Sequence, residues 1–119
     1  VYILIANLQI ENYYLYMVVY NQRILSRSGL MIDNYLLKEL VTFASEKTLA
    51  KTAEKLNVTQ PTVTRGMQKL EDELGIQLFD RQPNRIILTD TGKLAAEKAT
   101  EVLAVNRNFV QQLQNYAAR

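Results

Sequence analysis

The stretch from Asn57 to Gly75, NVTQPTVTRGMQKLEDELG, concentrates the side chains that could recognise another molecule. Apolar residues recur in it at intervals of four, three and four, at Val63, Met67, Leu70 and Leu74, and this predicts a helix with one buried face. The other face of its first turns carries hydrogen-bonding side chains, namely Gln60, Thr62, Thr64, Arg65 and, one turn further, Lys69. Thr59 can cap the helix, Pro61 fits its first turn and Gly75 can end it.

This polar face suits contact with a nucleic-acid duplex. Arg and Gln can form paired hydrogen bonds with base edges in the major groove, and Thr hydroxyls can bond bases or phosphates. The acidic run Glu71–Glu73 lies at the far end of the helix, away from where a phosphate backbone would pass. The same polar residues could instead merely solvate an exposed helix end. The elements that precede and follow this helix distinguish the two interpretations.

Two helices are predicted before this third one. Asp33 can cap the first, which ends near Lys47 and has an apolar stripe of Leu36, Leu37, Leu40, Val41 and Ala44. Thr48 can cap the second, Asn57 suits its left-handed end, and its inward residues are Leu49, Ala53 and Leu56. A short helix, a tight turn and a helix with a polar first turn form a helix-turn-helix unit, which favours the nucleic-acid interpretation.

A basic hairpin is predicted after the third helix. The segments Ile76–Phe79 and Arg85–Leu88 have the apolar and β-branched character of short strands, and Asp80–Asn84 between them is rich in turn residues. Arg81 and Arg85 flank this tip. The predicted fold class is therefore mainly α: a winged helix-turn-helix of three helices and a two-stranded wing, followed by a long helix.

Composition excludes several classes of function. The chain has 119 residues, of which 48% are hydrophobic and 22% charged, as expected for one globular domain with a modest core. It has no Cys and no His, so it cannot form a disulfide, a Cys/His zinc site or a His-activated nucleophile. We expect no catalysis, no metal and no cofactor. The net charge of +2 permits an anionic partner without requiring one.

Residues 1–30 differ from the rest of the chain. They hold five of the seven tyrosines and three charged side chains, Glu11, Arg23 and Arg27. No run reaches the roughly 18 apolar residues of a membrane span, and the features of a signal peptide are missing. We favour an apolar extension that precedes a natural start at Met31. The alternative is an interfacial anchor, or a hairpin turning at Glu11 and Asn12, in a protein-interaction or membrane-tethered module.

The last segment predicts a long helix that pairs with a copy of itself. From Thr91 to Ala118 there is no proline and only Gly92 as glycine, which allows a helix of about 28 residues and 42 Å. A heptad seam is formed by Ala95, Ala99, Val102, Asn106, Phe109, Leu113 and Tyr116. Its first two turns are expected to lie on their own domain. The outer half needs a partner helix, and Asn106 would fix the register.

Together these residues resemble the LysR-type bacterial transcriptional regulators. The similarity rests on TQPTVTR, KLEDELGIQLFDR and LTDTG, and it covers Met31 to about Arg119. It implies a DNA-binding domain over 31–90 and a linker helix over 91–119, in a bacterial cytoplasmic protein that binds a two-fold related operator as a homodimer. It also implies that Gln60, Pro61, Thr62, Thr64 and Arg65 face the major groove, that Thr48 meets a phosphate, and that the wing from Arg81 to Arg85 meets the minor groove.

Four residues depart from the family pattern. Thr52 stands where the first of two alanines is usual, and Thr64 stands where serine is commoner. Asn84 stands at a wing position where many family members have Arg. Arg85 would therefore take over the DNA contact of that Arg. Gly66 costs roughly 1 kcal/mol of helix stability relative to Ala and removes a long polar side chain. The family's effector-sensing domain would follow the linker helix, so we expect no small-molecule effector site in this chain.

Overall fold

The computed structural model describes residues 31–119, and the two interpretations of residues 1–30 lie outside the described part. The described elements are helices α1 (Asn34–Glu46), α2 (Leu49–Leu56) and α3 (Gln60–Leu74), strands β1 (Phe79–Gln82) and β2 (Arg85–Leu88), and helix α4 (Asp90–Ala117). This order confirms the predicted mainly α, winged helix-turn-helix class. Among the described helices, none is both long and apolar enough to cross a membrane.

Side-chain caps determine where the helices begin. The side chains of Asp33, Thr48, Thr59 and Thr89 each accept a hydrogen bond from a backbone N–H in the first turn of α1, α2, α3 and α4. Such bonds satisfy donors that have no partner inside the helix. The first three caps confirm the prediction. Thr89 starts α4 one residue earlier than predicted, and α4 has the expected 28 residues.

The first three helices end on residues in the left-handed conformation. Asn57 has a φ of 57° and Gly75 a φ of 67°, both as predicted. Lys47 has a φ of 70°, which is uncommon for a residue with a long side chain. Its N–H donates to the Phe43 carbonyl oxygen at 2.7 Å, so the strained residue satisfies a carbonyl group at the end of α1. The turn is tight enough for α2 to begin two residues later.

The core collects one face of every helix and one end of the wing. Leu40, Val63, Met67, Leu70, Leu78 and Phe79 are all at most 2% exposed. The ring of Phe43 in α1 meets the ring of Phe79 in β1 edge-on, with centroids 5.7 Å apart, a favourable geometry for an aromatic pair. The apolar stripes predicted for α1 and α3 therefore form or border the core, and in α2 the predicted Leu49 and Ala53 do so. Leu56, also predicted to point inward, is half-buried and is not part of this core.

The predicted first strand is misplaced by three residues. β1 begins at Phe79, where the prediction ended it, and pairs antiparallel with β2 from Phe79 opposite Leu88 to Gln82 opposite Arg85. The turn consists of residues 83 and 84 alone, not of Asp80–Asn84. The wing is consequently a tight hairpin whose first strand carries Arg81 in its middle.

A carboxylate in α3 explains this shift. Glu71 Oε2 accepts hydrogen bonds from the backbone N–H groups of Leu78 and Phe79, at 2.9 and 3.3 Å. Those two donors are therefore used by a side chain of α3. Residues 76–78 are held against the helix, and strand pairing starts only beyond them.

The first turns of α4 belong to the same core. Gly92 is buried, and a Cβ there would overlap the carbonyl oxygen of Leu78 and lie 3.0 Å from its carbonyl carbon. Glycine thus allows α4 to approach the chain segment before β1. Ala96 and Ala99 are also buried, so the core extends across the predicted division between residues 31–90 and 91–119.

Candidate nucleic-acid interface

Three long polar side chains on α3 are exposed and unengaged. Gln60, Arg65 and Lys69 are exposed, and within residues 31–119 their side chains make no hydrogen bond or ion pair. The opposite face of the same helix is buried, with Val63 at 0% and Met67 at 2% exposure. α3 is therefore anchored by one face and offers free donors on the other.

The threonines near the start of α3 are partly used by the fold. The hydroxyl groups of Thr59 and Thr62 lie 2.9 Å apart, and Thr62 is half-buried. The Thr64 hydroxyl donates to the Gln60 carbonyl oxygen at 3.1 Å, so towards a ligand it can only accept. Pro61 is exposed and presents apolar surface beside them.

Thr48 at the start of α2 can still donate to an anion. Its side-chain oxygen accepts from the Lys51 N–H at 3.1 Å, while the hydroxyl proton stays available. The buried Thr52 donates its hydroxyl to the Thr48 carbonyl oxygen at 2.7 Å. The hydroxyl of Thr52, which stands in place of the family's usual alanine, thus shares this acceptor with the Thr52 N–H and is satisfied although it is buried.

Arg81, predicted as a DNA contact, is tied to α3. Its Nη2 lies 2.8 Å from Glu71 Oε1 and 3.3 Å from Gln68 Oε1. Glu71 is 7% exposed, so it belongs to the core and not to a solvated acidic run. The guanidinium of Arg81 offsets this buried charge. The pair was not predicted from sequence, because a helix residue and a strand residue ten positions apart share no periodic pattern.

Arg85 lies at the tip of the wing and lines a groove with two lysine side chains. Its Nε donates to Gln82 Oε1 at 2.8 Å across the turn. Together with Lys47 and Lys93 it lines a groove of about 460 Å³ between α1, β2 and α4, and the lining contains no acidic side chain. Lys47 and Lys93 are residues that sequence analysis missed, because only the folded chain brings them beside the wing.

Gly66 has a structural reason that its sequence position did not show. A Cβ there would overlap Oε2 of Glu39 and lie 2.6 Å from the carboxyl carbon. Glu39 belongs to α1 and is only 2% exposed. The absence of a side chain at Gly66 therefore makes room for a buried carboxyl group between α1 and α3. The weaker helix propensity of glycine is the smaller part of its effect.

The outer half of α4 presents an apolar stripe to solvent. Val102, Val105, Phe109, Leu113 and Tyr116 are between 49% and 72% exposed, and Asn106 is exposed among them. Two residues predicted for this seam do not belong to it: Ala99 is buried in its own core and Ala95 is half-buried. They are covered because the first turns of α4 pack on α1. The stripe available to a partner begins at Val102.

Three helices, a two-stranded wing and an exposed polar face on the third helix define a winged helix-turn-helix protein. Residues 35–93 match the family described as bacterial regulatory helix-turn-helix protein, lysR family. The solved CbnR_DBD–DNA complex is 33% identical, with a TM-score of 0.69 over 74% of this chain and 100% of that chain. The BenM_DBD complex with catB site 1 DNA is 30% identical, with a TM-score of 0.70 over 74% and 99%. The chain belongs to the LysR family.

Relatives of known sequence are much longer than this chain. The SDS degradation transcriptional activation protein of Pseudomonas sp. (strain ATCC 19151) is 38% identical over 88 residues, which are 71% of this chain and 29% of that protein. The DNA-binding transcriptional dual regulator OxyR of Escherichia coli (strain K12) is 36% identical over 67 residues, 56% of this chain and 22% of that protein. The chain thus spans less than a third of these relatives.

Replacing Gly66 with Ala should destabilise the chain by about 1 to 3 kcal/mol, because the added methyl group overpacks the site against Glu39. In a Glu39→Ala background the same substitution should be neutral or stabilising, since Ala is the better helix former. Urea unfolding of the wild type, both single variants and the double variant measures this coupling. An equal effect of Gly66→Ala in both backgrounds would show that the two residues do not compete for space.

Proposed function

We propose that this chain binds double-stranded DNA sequence-specifically, as the DNA-binding part of a LysR-type transcriptional regulator in the bacterial cytoplasm. The observation that carries the proposal is α3, which has three polar side chains without a partner among residues 31–119 on one face and buried apolar residues on the other. Both similar solved domains, CbnR_DBD and BenM_DBD, were crystallised with DNA, which supports the same role here. We propose no catalytic role and no bound cofactor or effector.

The first turns of α3 would read the bases. Arg65 and Gln60 carry the donors and acceptors that match guanine and adenine edges in the major groove. Thr64, whose proton is already used, would accept from a base amino group, and Pro61 and Thr62 would shape the contact. Lys69, one turn further along, would meet the phosphate backbone, as would the free hydroxyl proton of Thr48.

The wing and its neighbours would supply most of the remaining attraction to phosphates. Arg85, Lys47 and Lys93 surround one groove with positive charge and no acidic residue in its lining. Glu71, the acidic residue of α3 nearest to the wing, is paired with Arg81, so its charge does not oppose DNA. The side chain of Arg81 is 40% exposed, and its main role is to pair with the buried Glu71.

We also propose that α4 pairs with the α4 of a second copy. The stripe from Val102 to Tyr116 is too large and too continuous to be ordinary scattered exposure. A partner helix would cover it, and the exposed Asn106 within it would select one register because an amide buried in an apolar seam needs an amide opposite. Two joined copies would place two α3 helices on a two-fold related site.

For base reading, Arg65→Ala should reduce the preference for specific DNA by a factor of about 5 to 150, the equivalent of one bidentate contact of roughly 1 to 3 kcal/mol. The probe is a duplex selected for binding from a random pool, competed with unselected DNA. Arg65→Lys is the matched control, since it keeps the charge and loses the paired geometry. A wild-type specificity ratio in the Ala variant would exclude Arg65 as a base reader.

For the wing, Arg85→Ala should flatten the slope of log K against log salt by roughly 0.9 for each phosphate that the variant no longer neutralises. Arg81→Ala is the comparison: we expect it to leave the slope nearly unchanged. It should instead lower the free energy of unfolding by about 1 to 3 kcal/mol, because Glu71 is deprived of a charged hydrogen-bond partner. Equal slopes for wild type and Arg85→Ala would place the wing tip off the DNA. A flatter slope for Arg81→Ala would restore Arg81 as a phosphate contact.

For the dimer, Phe109→Asp with Leu113→Asp should give a folded monomer that binds a two-fold site hardly better than a half-site. Both side chains are more than half exposed, so the fold does not need them, whereas charges facing an apolar partner are costly. Asn108→Asp with Asn115→Asp adds the same charge on another face of α4 and should stay dimeric. Sedimentation velocity separates the two; a Phe109/Leu113 variant that remains dimeric would disprove the pairing.

A further inference from the structure

The contact between α1 and α3 contains a buried carboxyl group that forms no ion pair within residues 31–119. Glu39 is 2% exposed, and its Oε2 has no hydrogen-bond partner within the described residues. Buried carboxyl groups are normally paired or hydrogen-bonded, because an isolated charge is costly in an apolar site. Glu71 shows the usual arrangement in this same fold, with Arg81 on one oxygen and two backbone N–H groups on the other. Among the described residues, Oε2 of Glu39 has no comparable partner.

No charged group of the helices packed against α1 lies in the core beside Glu39. Glu71 is engaged by Arg81, and Glu73 is half-buried at the far end of α3. The remaining charged residues of α2, α3 and α4 that precede residue 110 are exposed, namely Lys51, Glu54, Lys55, Arg65, Lys69, Asp72, Asp90, Lys93, Glu97, Lys98, Glu101 and Arg107. Burial accordingly raises the pKa of Glu39 to about 7.

The carboxyl group of Glu39 lies directly against the backbone of α3 at Gly66. Gly66, against which Oε2 lies, directly follows Arg65 and precedes the buried Met67. A neutral carboxyl group can occupy this space without a partner charge. An ionised one requires water or a cation, and on the side of Oε2, which is buried against Gly66, the contact can admit either only if α1 and α3 separate. Any such separation displaces Arg65, the neighbour of Gly66 in α3, relative to α1.

We propose that Glu39 is a proton-dependent positioning residue for α3. Its neutral carboxyl group holds α3 in the position that contacts the DNA bases. Ionisation loosens the packing of α3 on α1 and thereby weakens DNA binding. The inference rests on the proposed function. Bound DNA would also favour the protonated form of Glu39, because the negative charge of the phosphates disfavours an ionised carboxylate nearby. The chain has no His and no Cys, the side chains that most often titrate near neutral pH.

The sign for stability follows from linkage. The folded carboxyl group keeps its proton up to about pH 7, whereas the unfolded one loses it near the ordinary value of 4.5. The contribution of Glu39 is therefore fully present below pH 4.5 and is lost as the pH rises to about 7. Over that interval the unfolding constant should rise by up to tenfold for each pH unit, relative to a variant without this group.

Glu39→Gln tests the proposal, with Glu46→Gln on the same helix as the matched control. The affinity of the wild type for a selected duplex should fall about tenfold between pH 6 and pH 8.5, whereas Glu39→Gln should change much less. Glu46→Gln should behave like the wild type. Glu39→Met, a neutral and apolar replacement of similar length, provides a second test if the buried amide proves unstable. Fluorescence anisotropy gives the affinities, and urea unfolding without DNA gives the stability over the same range.

The outcomes separate the two hypotheses. If the wild type binds no DNA duplex at any pH, the proposed function fails and this inference fails with it. If the wild type binds but Glu39→Gln and Glu39→Met keep its full pH dependence, the inference alone is overturned. A pH-dependent difference in unfolding without a difference in DNA affinity also overturns it, because Glu39 would then titrate without positioning α3.

Discussion

The hydrogen bonds of Glu71 are the interaction on which the rest of this domain depends. One carboxylate oxygen accepts from the N–H groups of Leu78 and Phe79, and the other faces Arg81. The carbonyl oxygen of Leu78 in turn accepts from the Thr89 N–H at 2.9 Å, and Thr89 caps α4. A single buried side chain thus connects α3 to the first strand of the wing and, through Leu78, to the start of the long helix. Its burial is tolerable because all of its charge is matched.

This connection also defines the spacing of the proposed DNA-binding elements. The wing cannot move independently of α3, because its first strand begins where the Glu71 bonds end and Phe79 is locked against Phe43. The direction of α4 depends on the close approach of Gly92 to Leu78. In a pair of chains joined through α4, the distance between two α3 helices would therefore be determined inside each monomer. A rigid arrangement of this kind lowers the entropy cost of engaging both half-sites at once.

The features predicted well from sequence are those that depend on near neighbours. Asp33, Thr48 and Thr59 cap helices within three residues, and apolar stripes follow from helical spacing, so both are visible in the chain itself. The strand boundary was wrong because the Glu71 bonds span seven and eight residues and obey no period. Spacing also predicted an apolar stripe on α4, where Val102, Phe109 and Leu113 are exposed. It assigned Ala99 to the same stripe, although Ala99 is buried in its own core, because spacing alone cannot show which neighbour covers a residue. Arg81 and Lys93 likewise acquire their roles only from the tertiary contacts.

Glu39 and Gly66 are each unfavourable for stability at their positions, and the structure shows that the two belong together. A glycine weakens a helix interior and an unpaired carboxyl group weakens a core. Each looks unfavourable alone, yet the space left by one is filled by the other. Proteins that violate such rules tend to do so where function requires it. Within residues 31–119, each carboxylate oxygen of Glu71 has a partner, whereas Oε2 of the buried Glu39 has none. Glu39 lies against Gly66, the neighbour of Arg65 in α3. A domain built only for stability would have an apolar residue at position 39.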